Sequence, residues 1–390
     1  MSTHALLSPS SAARWMCCPG SVALTKDLPD TSSDFADEGT VAYEVAARCL
    51  QGGVDAASHI GWEITVNGKS WKVDAEMARF VQTYVDYVRG VVSATGGELL
   101  VEQRLPIGFL TGEDDAHGTS DVVILAPGEL IVVDLKYGRG VAVDAEENPQ
   151  LQIYALAAMD EFSLVHDFSQ VRMVIHQPRL GAVSEWVQTV ADLDDFAMEV
   201  REAAAITRAP NALLNPTEKG CKFCKAKATC PALREEVEEL LTGVRAGPDT
   251  AAEMLSTALA KADLVEGWLK AVRAEVEARL LAGQPIPGFK LVQGKKGARD
   301  WSDKAQAEQL LKTFRLKVEE MYDLKLISPT SAEKLAKAEV IGPRQWSKAQ
   351  ALITQAEGRP SVAPESDKRP ALVMSAVASD FEDVTATDLV

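Results

Sequence analysis

Positive charge is scarce in this chain. Its 390 residues carry 40 Lys and Arg against 57 Asp and Glu, a formal net charge of −17. That balance argues against a general nucleic-acid coat protein, which would be basic. It leaves room for local basic patches, because the contact field is set locally. Also missing are a secretory leader and any apolar run long enough to span a bilayer. A cytoplasmic protein with no membrane partner is therefore expected. There is no internal repeat and no low-complexity tract. In a reducing compartment the six cysteines point to metal or redox chemistry rather than to a disulfide framework. What the chain does have is a hydrophobic fraction of 46%, enough for a sizeable core. Its length suits one large domain with an appendage, or two domains.

The richest stretch runs from Gly118 to Tyr154. Ser120 to Leu125 and Leu130 to Lys136 are rich in Val, Ile and Leu, and Ala126-Pro127-Gly128-Glu129 separates them. This predicts a hairpin with a four-residue loop. If Leu125 pairs with Leu130, Asp121 lies opposite Asp134 with the Cβ atoms about 5 Å apart. Lys136, two residues beyond Asp134, shares its face. Facing carboxylates repel unless a cation sits between them. A hard divalent ion such as Mg²⁺ takes oxygen ligands, and a lysine beside it can orient water or hold a phosphate oxygen. Taken alone, Asp-x-Lys reads first as solvated charge on a hairpin. Gln150 and Tyr154, at i and i+4 on one face of a following helix, tip the reading towards a site.

Asp121, Asp134-Leu135-Lys136, and Gln150 with Tyr154 together resemble the motifs of the PD-(D/E)XK nuclease superfamily, in its RecB-like branch. The resemblance implies a restriction-endonuclease-like α/β core, with a mixed central sheet flanked by helices, and a helical C-terminal extension. It implies that Asp121 and Asp134 bind Mg²⁺ or Mn²⁺, with the Leu135 carbonyl as a further ligand. Lys136 would assist the nucleophile, and Gln150 and Tyr154 would contact DNA or brace the site. The branch carries a Gly-x-x-x-His on an N-terminal helix, whereas this chain reads Gly39-x-x-x-Tyr43. A neutral phenol is a poor metal ligand. Glu44 is then the expected substitute, unless the metal is held by fewer protein groups. His117 and Glu102 are weaker candidates, read first as a solvated loop histidine and a strand-edge glutamate.

Cys221, Cys224 and Cys230 form a C-x2-C-x5-C pattern. Three thiolates do not complete a tetrahedral or cubane site, so a fourth ligand has to come from elsewhere, and Cys17 or Cys18 can supply it. RecB-like nucleases with an iron–sulfur cluster resemble this layout, which staples the two ends of the nuclease core. The resemblance to phage proteins with a single Cys-Pro-Gly favours Cys18, which precedes Pro19-Gly20. A [4Fe–4S] cluster is thereby implied, with Zn²⁺ as the rival. Cys49 reads as a small buried hydrophobe. Lys219, Lys222, Lys225 and Lys227 surround the thiols. Lys290, Lys295, Lys296 and Arg299 form a second basic patch.

The expected organisation is a nuclease core over 1–232, a mainly helical extension over 233–356 and a disordered acidic tail over 357–390. Residues 1 to 50 and 75 to 93 read as helical, 99 to 136 as strands. A further hairpin is expected over Arg172–His176 and Glu185–Val190, then a helix over Asp192–Ala209. Beyond the cysteines, a helical hairpin broken at Gly247-Pro248 is followed by a strand at Phe289–Val292. Helices are expected over 303–322, 329–338 and 346–355, and Leu310 to Leu326 reads either as a recognition module or as packing. Pro364 to Pro370 resembles a tail signature of the same phage and prophage family, and reads otherwise as a linker. Three functions follow. The first is a metal-dependent DNA exonuclease, with DNA and a phage single-strand annealing protein as partners. The second is a catalytically inactive nuclease fold that binds DNA or acts in assembly. The third is a zinc-stapled interaction protein.

Overall fold

The computed structural model describes residues 5–29, 33–140, 142–243, 251–314, 316–322, 326–364 and 368–372. Two compact units divide the chain at Leu269 and Lys270. The first is a mixed α/β unit built on a five-stranded sheet of order β3-β4-β5-β6-β7. These strands are β3 (Glu98–Pro106), β4 (His117–Ala126), β5 (Gly128–Leu135), β6 (Phe168–Gln177) and β7 (Ala182–Thr189). All neighbours are antiparallel except β5 and β6, which run parallel and are joined through the helix Pro149–Phe162.

The long apolar runs of β4, β5 and β6 arise because both faces of the sheet are covered. Side chains alternate between two cores. Val123, Leu125, Leu130, Val132, Val171 and Met173 pack with the helix Pro149–Phe162 and the helix Val190–Thr207. Val122, Ile124, Ile131, Val133 and Val174 pack with the helices Asp34–Gly52 and Ala75–Thr95. The latter helix is bounded by local chemistry. The Asp74 side chain accepts from the Met77 N–H at 2.7 Å, and Gly96 closes the helix at φ 65°. Its buried residues Met77, Val81, Tyr84, Val85 and Val88 recur at helical spacing on one face.

Leu125 does pair with Leu130. The connecting loop is tighter than the expected four residues, because Ala126 pairs with Glu129 and only Pro127 and Gly128 turn. Proline's fixed φ suits the first turn position, and Gly128 takes φ 76° at the second, as a type II turn requires. One hairpin is additional to those expected: β1 (Glu63–Val66) and β2 (Lys69–Lys72). Asn67 and Gly68 turn it at φ 50° and 79°, the pattern of a type I′ turn. The N-terminal 50 residues are not one helical run. Short helices at Ala12–Trp15 and Ser21–Thr25 are separated by Cys17-Cys18-Pro19-Gly20 before the helix Asp34–Gly52 begins.

The second unit is described by itself. Phe289–Gly294 pairs antiparallel with Gly358–Pro364, so the tail expected from 357 begins as a strand. The helix expected over 303–322 is two: Lys304–Thr313 and Val318–Met321. Further helices occupy Pro329–Lys337 and Pro343–Gln350. Leu311, Phe314 and Met321 are buried with Trp301 and Ala332, so the Leu310–Leu326 segment packs the core of this unit. The break expected at Gly247-Pro248 and the acidic residues from Asp380 onwards lie outside the described residues. Among the described residues no helix is long and apolar enough to cross a membrane.

Candidate active site and cysteine cluster

Four of the expected side chains converge at the end of β5. Asp134 is 3% exposed. Lys136 Nζ lies 2.9 Å from Asp134 Oδ2 and 3.2 Å from Oδ1. Gln150 bridges the pair: its Nε2 donates to Asp134 Oδ1 at 2.9 Å, and its Oε1 accepts from Lys136 Nζ at 3.0 Å. Asp121 closes the group through its Oδ2, which accepts the Leu135 N–H at 2.7 Å. Gln150 stands in the first turn of its helix because Asn148 caps that turn and Pro149 opens it. Tyr154, one turn later, is buried against Gly118. A Cβ there would come within 2.8 Å of Tyr154 Cε1 and 2.9 Å of Pro9 Cγ, so glycine permits the contact.

The electrostatics reflect the crowding. Burial, then the Asp134 charge, raise the Asp121 carboxyl well above the ordinary carboxylate range, against the opposing pull of the Leu135 N–H and Lys136. Burial works to lower the Lys136 pKa. Asp134, its hydrogen bond and Asp121 outweigh this and keep it raised, as a charged ammonium. Burial, followed by the charges of Asp134 and Asp121, raises the Tyr154 phenol.

Glu102 takes more of the site than its sequence position suggests. On β3, Val101 pairs with Val122 and Gln103 with Ser120, which leaves Glu102 facing Asp121 as an unpaired rung. Its φ of 54° is a left-handed conformation in mid-strand. Leu100 and Leu105 lie in the same core although five residues apart, so the alternation of β3 breaks once between them. The Glu102 charge contributes to the raised pKa of Asp121.

The structure brings Tyr43, not Glu44, to this place. Burial, then Asp121 and Glu102, raise the Tyr43 phenol, whereas Glu44 pairs with Arg48 at 2.9 Å on the half-exposed side of its helix. His117 stays apart, with Nδ1 bonded to the Asp115 carbonyl at 2.7 Å. Sequence reasoning missed Tyr84 and His176. Tyr84 is fully buried; after burial itself, Asp121 and Asp134 do most to raise its phenol. His176, at the end of β6, has its pKa lowered to about 4 by burial. Both sit in apolar patterns of a helix and a strand, where a polar residue gives no separate signal.

Does this group suit a divalent cation? As positioned, no three His, Cys, Asp or Glu side chains among the described residues are gathered tightly enough to hold one. The donor set nevertheless fits a hard ion, with Asp121, Asp134 and Glu102 as oxygen donors around one rung. Asp134 Oδ2 is taken by the Lys136 ammonium at 2.9 Å, whereas the Tyr84 hydroxyl is buried without a hydrogen-bond partner. Buried polar atoms left in this state are rare in folded proteins.

The cysteines assemble from both ends of the first unit. Cys18, Cys221 and Cys230 are each 7% exposed. Burial first raises the thiols of Cys221 and Cys224; the two cysteines also feel Cys18 and Cys230, and Arg14 draws Cys224 down. Cys18 Sγ accepts the Asn215 N–H at 3.2 Å. Cys17 is occupied differently: its Sγ lies 3.1 Å from Thr217 Oγ1. Gly20 explains the Cys-Pro-Gly sequence. Its N–H donates to the Leu213 carbonyl at 2.9 Å, and a Cβ at Gly20 would collide with the Ala212 carbonyl oxygen. That close approach carries Cys18 to the 221–230 loop. Four thiols with an N–H on one sulfur are the donor chemistry of a tetrahedral or cubane centre, although as positioned no three of them are gathered tightly enough to hold an ion. Cys49 is buried in the helix Asp34–Gly52, as expected.

Fold and site thus define a mixed α/β protein with a carboxylate–lysine–glutamine group at one strand end and a neighbourhood of cysteines drawn from distant segments. The chain belongs to the family described as a protein of unknown function (DUF2800), whose model matches residues 4–370. A solved structure titled "Crystal structure of SSO0001" is similar to it at 14% identity, over 54% of this chain and 92% of that one, with a TM-score of 0.22.

Proposed function

We propose that the protein is a divalent-metal-dependent deoxyribonuclease of the RecB-like PD-(D/E)XK type, acting as an exonuclease in phage recombination or DNA repair. The observation that carries this reading is the closed group of Asp121, Asp134, Lys136 and Gln150, assembled from two strands and a helix. Asp121 and Asp134, with Glu102, would hold Mg²⁺ or Mn²⁺. When bound, the ion would polarise the scissile phosphate and lower the pKa of a water. Lys136, kept charged by its carboxylate neighbours, stabilises negative charge building on the phosphate. Gln150 fixes both Lys136 and Asp134, and so orients the ammonium. Tyr154 walls the site from behind the glutamine.

Cys18, Cys221, Cys224 and Cys230 would hold a [4Fe–4S] cluster, or Zn²⁺, as a structural staple. Cys17, engaged with Thr217, stays outside it. A cytoplasmic setting and work alongside a single-strand annealing protein belong to the same proposal.

One observation favours a second reading. Tyr43 occupies the ground beside Asp121 where the nuclease branch has histidine, which suits a nuclease fold that binds DNA without cutting it. The deciding experiment incubates anaerobically purified protein with end-labelled linear DNA in Mg²⁺, Mn²⁺ or EDTA, alongside Asp134→Asn. Shortening that needs metal and vanishes in the variant is expected. DNA left intact by protein with a full metal complement would move the assignment to the binding role.

A further inference from the structure

An open cavity of about 660 Å³ lies beside the cysteine cluster, and its chemistry is unlike that of the rest of the chain. Four cations line it (Arg14, Lys26, Lys219 and Lys225), with no carboxylate among the described lining residues. In a chain of net charge −17 such a concentration of one sign is a local exception. The 8–11 segment adds serine hydroxyls to the wall. Phe223, between Cys221 and Cys224, stands at the rim with 86% of its surface exposed. Lys222 Nζ lies 5.6 Å from the centre of its ring.

Phe223 offers an exposed aromatic face beside these cations, and its neighbours decide what kind of ligand suits it. An apolar partner would bury lysines with it, whereas a chain of phosphates and bases satisfies both: the cations meet the phosphates and a base stacks on the ring. Arg14 is already held in place by Ser21 Oγ and Thr25 Oγ1, each at 3.1 Å, so little freedom is lost when it meets an anion. The adjoining cavity, which shares Ala13 and Lys219, has the opposite sign, with Glu147, Asp192, Asp195 and Glu199 in its wall. A phosphate chain is drawn to the first cavity and repelled by the second.

We propose that this basic cavity, with Phe223 as a stacking platform, is a binding site for single-stranded nucleic acid separate from the Asp121–Asp134 group. The choice of nucleic acid over other polyanions rests on the nuclease reading; the binding itself does not require cleavage.

The test is fluorescence anisotropy of a labelled oligothymidylate with the full-length protein in EDTA, across a salt series. Phe223→Ala is expected to weaken binding about tenfold or more. Lys219→Glu should weaken it and reduce the slope of log affinity against log salt by about one. Phe223→Trp should report stacking directly, by quenching of its emission when the oligonucleotide binds. Phe223 is exposed, so melting temperatures should match the parent. Unchanged affinity in both Phe223→Ala and Lys219→Glu overturns the proposal. So does displacement by inorganic polyphosphate with Phe223→Ala unaltered, which would leave a phosphate site only. Binding that depends on Phe223 without any cleavage in Mg²⁺ would sink the nuclease reading and leave this one standing. Normal cleavage with binding indifferent to both variants would do the reverse.

Discussion

At the scale of single residues, the Asp121–Asp134 pair sets the behaviour of the site. Both carboxylates sit beside β5, and burial with mutual repulsion raises the Asp121 pKa in the folded protein. An unfolded aspartate titrates near pH 4. Between there and its raised value the folded chain binds a proton that the unfolded chain releases, so stability falls as pH rises. Melting temperature in EDTA should therefore decline over that window, and Mg²⁺ should flatten the decline by replacing the proton. A pH profile unaltered by Mg²⁺ would speak against a cation between these groups. Asp134→Asn keeps an oxygen to accept from Gln150 but removes one of the repelling charges. It also takes from Lys136 its nearest charged partner, and we expect it to lower cleavage about a hundredfold or more. The proposed catalytic set was legible because a hairpin register and a helical i, i+4 spacing can be read without tertiary information. Glu102 was visible only as a weak candidate, since its importance comes from an unpaired rung and a left-handed φ that no local pattern encodes.

Among the structural elements, the Cys17–Gly20 turn and the 212–230 segment act together. Gly20→Ala would force the 212–213 backbone away from its carbonyl contact, at a cost of about 1–3 kcal/mol. Chemical denaturation, with iron and zinc content measured in parallel, would report both effects. Cys18→Ser should lose bound metal, whereas Cys17→Ser should keep it, because Cys17 Sγ is engaged with Thr217 while the charge of Cys18 is felt by Cys221 and Cys224. Equal loss from both variants would reopen the choice between them. The missed β1–β2 hairpin carries the opposite lesson. Asn67-Gly68 is a strong local turn signal, but the flanking strands are four residues each and half exposed, too weak a pattern to stand out.

Over the whole molecule, the first unit holds two cores on either side of its sheet, and the second has its own core around Trp301 and Leu311. The helix Ala262–Leu281 continues across the boundary between them. Calorimetry should resolve two unfolding transitions. A chain ended after Gly283, where φ of 76° closes that helix, should retain the transition of the first unit and its metal content. A single transition lost on truncation would show that the units fold as one.

By itself the sequence determined the hairpin register, the face shared by Asp134 and Lys136, the helix carrying Gln150 and Tyr154, and the spacing of the three clustered cysteines. These follow from strand and helix periods, from turn residues and from ligand spacing, all local in the chain. Tertiary structure alone decided that Tyr43 rather than Glu44 meets Asp121, and that Glu102 faces it across an unpaired rung. It also brought the Cys18 sulfur to the Asn215 N–H, through the close approach of Gly20 to the 212–213 backbone. Those outcomes depend on which backbones come into contact, and contact between distant segments is fixed by packing the two faces of the sheet.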